Sequence, residues 1–237
     1  MSRLVGWIDK RFYPGWGDNW DDGLFRKAIL AHLQPEHIVL DLGAGAGIAP
    51  HMNFRGIAAE VCGVDPDPRV LDNHFLDEGI VGSGEAVPYP DSHFDIVFAN
   101  NVLEHVADPD RVFKEVHRVL KPGGWFLAKT PNRYHYVSLI GRITPHWFHT
   151  LIARQRGRSS SDTFPTLYRV NDRRTIILYG QRNGFRPHRI DLIEGRPEYM
   201  RITSLSYAIG LLYERIVNSA SLLKPLRVIL IAQLQKY

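Results

Sequence analysis

Nine residues early in the chain, Val39-Leu-Asp-Leu-Gly-Ala-Gly-Ala-Gly47, combine three closely spaced glycines with one acid. Glycines at the end of a strand let the backbone turn sharply into a helix N-terminus and approach a ligand closely. Dinucleotide sites space them G-x-G-x-x-G. Here Gly43, Ala44, Gly45 and Gly47 give G-x-G-x-G, and Asp41 stands two positions before the first glycine. A carboxylate at that place repels a pyrophosphate but suits a nucleoside that carries a cationic amino-acid tail and no phosphate. The pattern therefore favours S-adenosylmethionine over NAD. Asp65, followed by Pro66, closes the next apolar run. An acid at the end of a second strand is placed to accept both ribose hydroxyls, although Asp-Pro also makes an ordinary turn.

Methyl transfer from a sulfonium is an in-line displacement with an activated leaving group, so the protein has mainly to align the nucleophile and exclude water. An oxygen nucleophile gains from a base, and His105 in Leu103-Glu-His105 is the candidate. Glu104 reads as structural or solvated. His135, His146 and His149, with Tyr134 and Tyr136, are scattered without a carboxylate pair, so no metal is expected from them. Cys62 falls inside an apolar run and reads as a small buried thiol.

The elements that must hold these residues alternate. Asp21–Leu33 has helical spacing, His37–Leu42 is an apolar run, and a weakly marked helix is expected after the glycine turn. Further strands are expected at Ala58–Val64, Gly79–Gly82, Phe94–Ala99 and Trp125–Lys129. A helix from Pro109 to Leu120 is capped by Asp108 and carries the stripe Val112, Phe113, Val116, Val119 and Leu120. Beyond Thr130 the periodicity loosens until a helix over Asn171–Asn183, capped by Asn171 or Asp172. Runs at Arg189–Ile193 and Arg227–Leu234 read as strands, with an apolar helical stretch over Tyr199–Leu223 between them. Such alternation predicts an α/β fold with a mostly parallel sheet and helices on both faces.

Four ordered blocks resemble the class I S-adenosylmethionine-dependent methyltransferases, specifically the type-11 methyltransferase domain: VLDLGAGAG (39–47), CGVD (62–65), GSGEAVPYPDSHFDIVFANNVLEHV (82–106) and RVLKPGGWFLAKTPN (118–132). The resemblance implies a Rossmann-like seven-stranded sheet. It places Asp41, Gly43 and Gly45 in the cofactor loop and Asp65 on the ribose. It also implies that the loop Ser83-Gly84-Glu85 covers the adenine and that Asn100 lines the methionine part of the cofactor. Family members often carry Asp where Ser83 stands, so here the Ser83 hydroxyl or the backbone of Gly84 and Glu85 takes over that contact.

The chain has 237 residues, 44% hydrophobic and 23% charged, which suits one domain with a large core. One cysteine excludes disulfide scaffolds and zinc fingers. The first residues lack an apolar signal region, and no apolar run reaches the length of a membrane span, so a cytoplasmic location is expected, with a place at the membrane periphery as a variant of it. The net charge of +4 hides an asymmetry. Residues 133–189 hold eleven Arg, no Lys and two Asp, a formal +9, which leaves −5 for the rest. The expected division is a single domain over 1–237: an N-terminal cap (1–34), a cofactor-binding core (35–132), a basic insertion (133–170), and C-terminal helix and strands (171–237) with an apolar helical insertion at 196–225, the insertions forming a helical lid. The basic stretch suits an anionic small-molecule or lipid-linked acceptor or an anionic membrane surface. A nucleic-acid groove ranks last because no binding motif accompanies it. The apolar stretch reads as pocket cover, homodimer interface or lipid contact. The expected activity is methyl transfer to a hydroxyl of a sugar, polyketide or quinone-like acceptor. The rivals are an NAD-type Rossmann oxidoreductase and a non-catalytic S-adenosylmethionine-binding protein.

Overall fold

Ile38–Leu42 (β1) is buried at four of its five positions because strands bond to it on both edges. It pairs in parallel with Glu60–Asp65 (β2) on one side and with Phe94–Asn100 (β4) on the other. Glu78–Val81 (β3) adds to β2, and Leu120–Pro131 (β5) adds to β4, again in parallel. Ile229–Lys236 (β7) and Phe185–Ile193 (β6) complete the order β3-β2-β1-β4-β5-β7-β6. The chain thus runs outward from β1 to β3 and then returns to start β4 on the other side of β1. In open α/β sheets this reversal leaves a crevice at the carboxyl ends of the two strands, where ligands bind. The computed structural model of the chain describes residues 3–143 and 165–237.

The helices are Arg3–Phe12 (α1), Trp20–Leu30 (α2), Pro109–Val119 (α3), Tyr136–Ile143 (α4), Arg173–Arg182 (α5) and Ser204–Ser219 (α6). Asp108 caps α3 by accepting the Arg111 N–H, and Val112, Phe113, Val116 and Val119 are buried, as the spacing predicts. Asp172 caps α5. The helix expected after the glycine turn is not an α-helix. A single 3-10 turn, Pro50–Met52, stands there, followed by Gly56 at φ +74°. Pro50 lacks an amide hydrogen, and a left-handed glycine six residues later ends any helical run. A second 3-10 turn, Pro68–Asp72, serves between β2 and β3. Residues 3–12 and 136–143 form helices that sequence periodicity did not indicate.

The chain groups into two compact units. One, the sheet unit, holds Asp21–Thr130, Thr166–Asp191 and Leu230–Tyr237. Its centre is dry: Phe25, Phe54 and Phe98 meet edge-on with centroids 5.3–6.4 Å apart. The other holds Met1–Trp20, Pro131–Pro165 and Leu192–Ile229. Within it α1 and α6 pack through Val5, Ile8, Tyr13 and Tyr207. A Cβ on Gly210 would stand 2.8 Å from Met200 Cβ, so only glycine lets α6 lie this close to the preceding turn.

Candidate cofactor and active site

The glycines after β1 are required by the backbone. Gly43, Gly45 and Gly47 have φ of +83°, +51° and +69°, a region that L side chains rarely adopt. Space adds a second reason: a Cβ on Gly43 would meet Val102 Cγ2 at 2.3 Å, and one on Gly47 would meet Asn73 Oδ1 at 2.3 Å. Asn73, buried and not foreseen from the sequence, braces the loop. Its Nδ2 donates to the carbonyls of Ala44 (3.1 Å) and Gly45 (3.2 Å).

Asp65 at the end of β2 is fastened to the same loop. Its Oδ2 accepts the Gly45 N–H and its Oδ1 the Asp67 N–H, at 2.9 and 2.8 Å. A carboxylate has about four lone-pair sites, so both oxygens keep acceptor capacity. Burial lifts Asp65 above the ordinary carboxylate range, while the two amide donors pull the other way. Asp41, fully enclosed one residue before the end of β1, is pushed well above that range by burial, and the Asp65 charge adds to the effect. Two carboxyls of raised pKa are poised to gain a cation and to resist a phosphate. Pro66 is exposed beside them.

Across the crevice, β4 ends at Asn100. Its Nδ2 donates to Asp22 Oδ1 (3.0 Å), while its Oδ1 is buried without a hydrogen-bond donor. Asp21 and Asp22 lie in the first turn of α2, where acids suit the helix N-terminus. Both also hold the fully buried Lys129 ammonium, Asp21 at 2.6 Å. Lys129 is opposite Asn100 in the β4–β5 register. This Asp21–Lys129–Asp22–Asn100 chain fixes the side chain of Asn100 and leaves its oxygen as a bare acceptor, one that suits an ammonium.

The remaining expected residues divide. Ser83 Oγ accepts the Glu85 N–H (3.1 Å), which turns the loop after β3, and Gly84 approaches Leu42 of β1 so closely that a Cβ there would touch it at 3.4 Å. The Glu85 carboxylate receives the Asp108 N–H (3.1 Å), so it ties this loop to the start of α3. His105 is half-buried, and its backbone N–H donates to the Val102 carbonyl (2.9 Å). Glu104 is buried and not solvated: it accepts from Thr130 Oγ1 (2.9 Å), whose oxygen also receives the Asn171 amide. Burial raises its pKa, and the nearby His105 and Lys129 oppose the rise.

In the second unit His135 is buried, with Nε2 3.6 Å from Glu194 Oε2. Burial holds His135 down at about 3 and lifts Glu194 to about 8, so at neutral pH both are uncharged and the contact is no ion pair. His146 and His149, and most of the basic stretch 133–170, lie outside the described residues. Among the described residues no group of three or more His, Cys, Asp or Glu could hold a metal ion. Cys62 is buried in β2, and burial raises its thiol to about 12.

A seven-stranded α/β sheet with a glycine loop and acids at the carboxyl ends of β1 and β2 defines a nucleoside-binding fold. Comparison with known proteins then specifies it. Residues 40–128 match the model of a methyltransferase domain. The chain is 35% identical over 133 residues to a probable S-adenosylmethionine-dependent methyltransferase of Mycolicibacterium smegmatis, covering 51% of this chain and 48% of that protein. It is 32% identical over 126 residues to a ubiquinone biosynthesis O-methyltransferase of Chromobacterium violaceum, covering 49% and 53%. Among solved structures, the geranyl diphosphate C-methyltransferase of Streptomyces coelicolor, in complex with Mg2+, geranyl diphosphate and S-adenosyl-L-homocysteine, shares the fold. Its TM-score is 0.55 at 16% identity, over 91% of this chain and 76% of that one. The chain spans about half the length of the curated relatives it matches. Residues 40–128 thus carry a methyltransferase domain, and the curated proteins that this part of the chain resembles include S-adenosylmethionine-dependent methyltransferases.

Proposed function

We propose that the protein moves a methyl group from S-adenosylmethionine to a hydroxyl of a small-molecule or lipid-linked acceptor, sugar, polyketide or quinone-like. The observation that carries the donor half is the unpartnered, buried Asn100 Oδ1 at the end of β4, next to a strand whose end carries Asp41 and the left-handed glycines. These residues fit the cofactor: Gly43, Ala44, Gly45 and Gly47 give it backbone, Asp65 takes the ribose hydroxyls, Ser83 and Gly84 lie along the adenine, and Asp41 with Asn100 takes the ammonium of the tail. When bound, the cofactor supplies an electrophilic methyl on a sulfonium. Asp41 and Asp65 together oppose a pyrophosphate, which speaks against the oxidoreductase reading.

The acceptor half rests on chemistry rather than on a partner in view. His105 follows β4 by a short loop and serves as the base that takes the hydroxyl proton. The name of the ubiquinone biosynthesis relative supports an oxygen acceptor. No helix of the described residues is long and apolar enough to cross a membrane, so a lipid-linked acceptor would be met at a surface. A screen of extracts from cells lacking the protein, with methyl-labelled donor, tests this reading. Label in a hydroxyl-bearing product supports it, and label confined to nitrogen or carbon acceptors refutes the base role of His105.

A further inference from the structure

Helix α6 turns its apolar residues outward. Leu205, Ile209, Leu212 and Ile216 are 74, 52, 62 and 50% exposed. They recur four, three and four residues apart, which makes one stripe about 16 Å long. The opposite side, Tyr207, Gly210, Glu214 and Val217, is buried. Ile202 and Leu222 prolong the apolar surface before and after the helix, at 66 and 88% exposure. Helix α1, which packs on α6 in the same unit, exposes Leu4 and Trp7. Isolated exposed apolar residues are ordinary, but a continuous stripe on one helix with a neighbour of the same kind marks a contact surface.

The charges say what it contacts. Asp9 and Glu214 are the only carboxylates on the two helices. Asp9 is held by Arg201 and Tyr207, at 2.8 and 2.5 Å. Glu214 is buried, held by Tyr13 (3.1 Å) and Asn218 (2.7 Å). Arg3, Lys10 and Arg11 of α1, Arg215 of α6 and Lys224 just after it are all exposed, Arg215 even though its Nε lies 3.4 Å from Glu214. Acids inward and cations outward beside an apolar stripe with an exposed tryptophan is the pattern of a helix lying in the plane of an anionic membrane. A second copy fits less well, because a two-fold contact through this face would set its cations against each other.

We propose that the α1–α6 face is an in-plane docking surface for anionic lipid bilayers. It stands independently of the methyl-donor reading. The test is co-sedimentation of the full chain with phosphatidylcholine vesicles that do or do not contain phosphatidylglycerol, across a range of NaCl. Binding should require phosphatidylglycerol and weaken as salt rises. The pair Leu205→Ser and Leu212→Ser should lower partitioning at least about tenfold. Lys10→Gln with Arg11→Gln, which leaves the apolar stripe untouched, should lower it by about fivefold for each cation removed. Failure to bind phosphatidylglycerol vesicles, equal binding to pure phosphatidylcholine, or a stable dimer in light scattering that the serine pair makes monomeric would each overturn the proposal. Failure to bind S-adenosylhomocysteine would overturn the donor reading and leave this one standing.

Discussion

Replacing Glu194 by Gln should make the protein more stable at neutral pH, and the gain should vanish in acid. Burial raises this carboxyl from its ordinary 4.5 to about 8, with the Glu214 charge adding to the rise and the Val228 N–H (2.8 Å) and Arg227 opposing it. A group whose pKa is raised by folding binds more protons in the native state. Its contribution is therefore complete below pH 4.5 and is lost as the pH climbs through 8. At pH 7 the loss is on the order of 3 kcal/mol. Glutamine keeps an acceptor for the Val228 N–H and never ionises. Its neighbour behaves oppositely: His135, held down at about 3 from 6.5, gives stability above pH 6.5 that is lost as the pH falls towards 3. Urea unfolding of both proteins at several values between pH 5 and pH 8 separates the two effects. The difference between Glu194→Gln and the parent should widen with pH. A difference that is constant, or that widens towards acid, would refute the assignment of a neutral Glu194.

Two further substitutions probe the donor site and a third the acceptor chemistry. Gly43→Ala forces an L side chain into φ +83°, at a cost of about 1–2 kcal/mol before the overlap with Val102 is counted, so S-adenosylhomocysteine affinity should collapse; unchanged titration heats would show that the loop can relax. Asn73→Ala removes both donors to the loop carbonyls and should weaken the same binding by about 1–3 kcal/mol without touching the ligand, which isothermal titration would show. His105→Ala should lower kcat on a hydroxyl acceptor by roughly 10²- to 10⁴-fold while leaving cofactor affinity intact, and normal turnover would remove it from the chemistry.

What could be read from the sequence was whatever local physics dictates. The stripe and cap of α3 and the glycine turn each follow from residue types at fixed spacing, and the structure has them there. What escaped depends on distant partners. Asn73 is an unremarkable polar residue until the fold brings it under Gly47, and the Asp21–Asp22 pair reads as a helix start until Lys129 arrives from β5. Helix α1 has its apolar residues Leu4, Val5, Trp7, Ile8 and Phe12 on one side, but its ten residues make fewer than three turns, too short a run for the period to stand out in the sequence. Glu85 is expected to act through its loop and backbone; that its carboxylate receives the Asp108 N–H, tying the loop to the start of α3, is likewise a contact that only the fold brings about.

Calorimetric titration of the full chain with S-adenosylhomocysteine and, separately, with NAD tests the central claim most directly. S-adenosylhomocysteine should bind with micromolar affinity and NAD should give no heat. Asp65→Ala should lose about 1.5–3 kcal/mol of that binding, because the ribose acceptor is gone. Binding of NAD in place of S-adenosylhomocysteine, or an affinity that Asp65→Ala leaves unchanged, would contradict that claim.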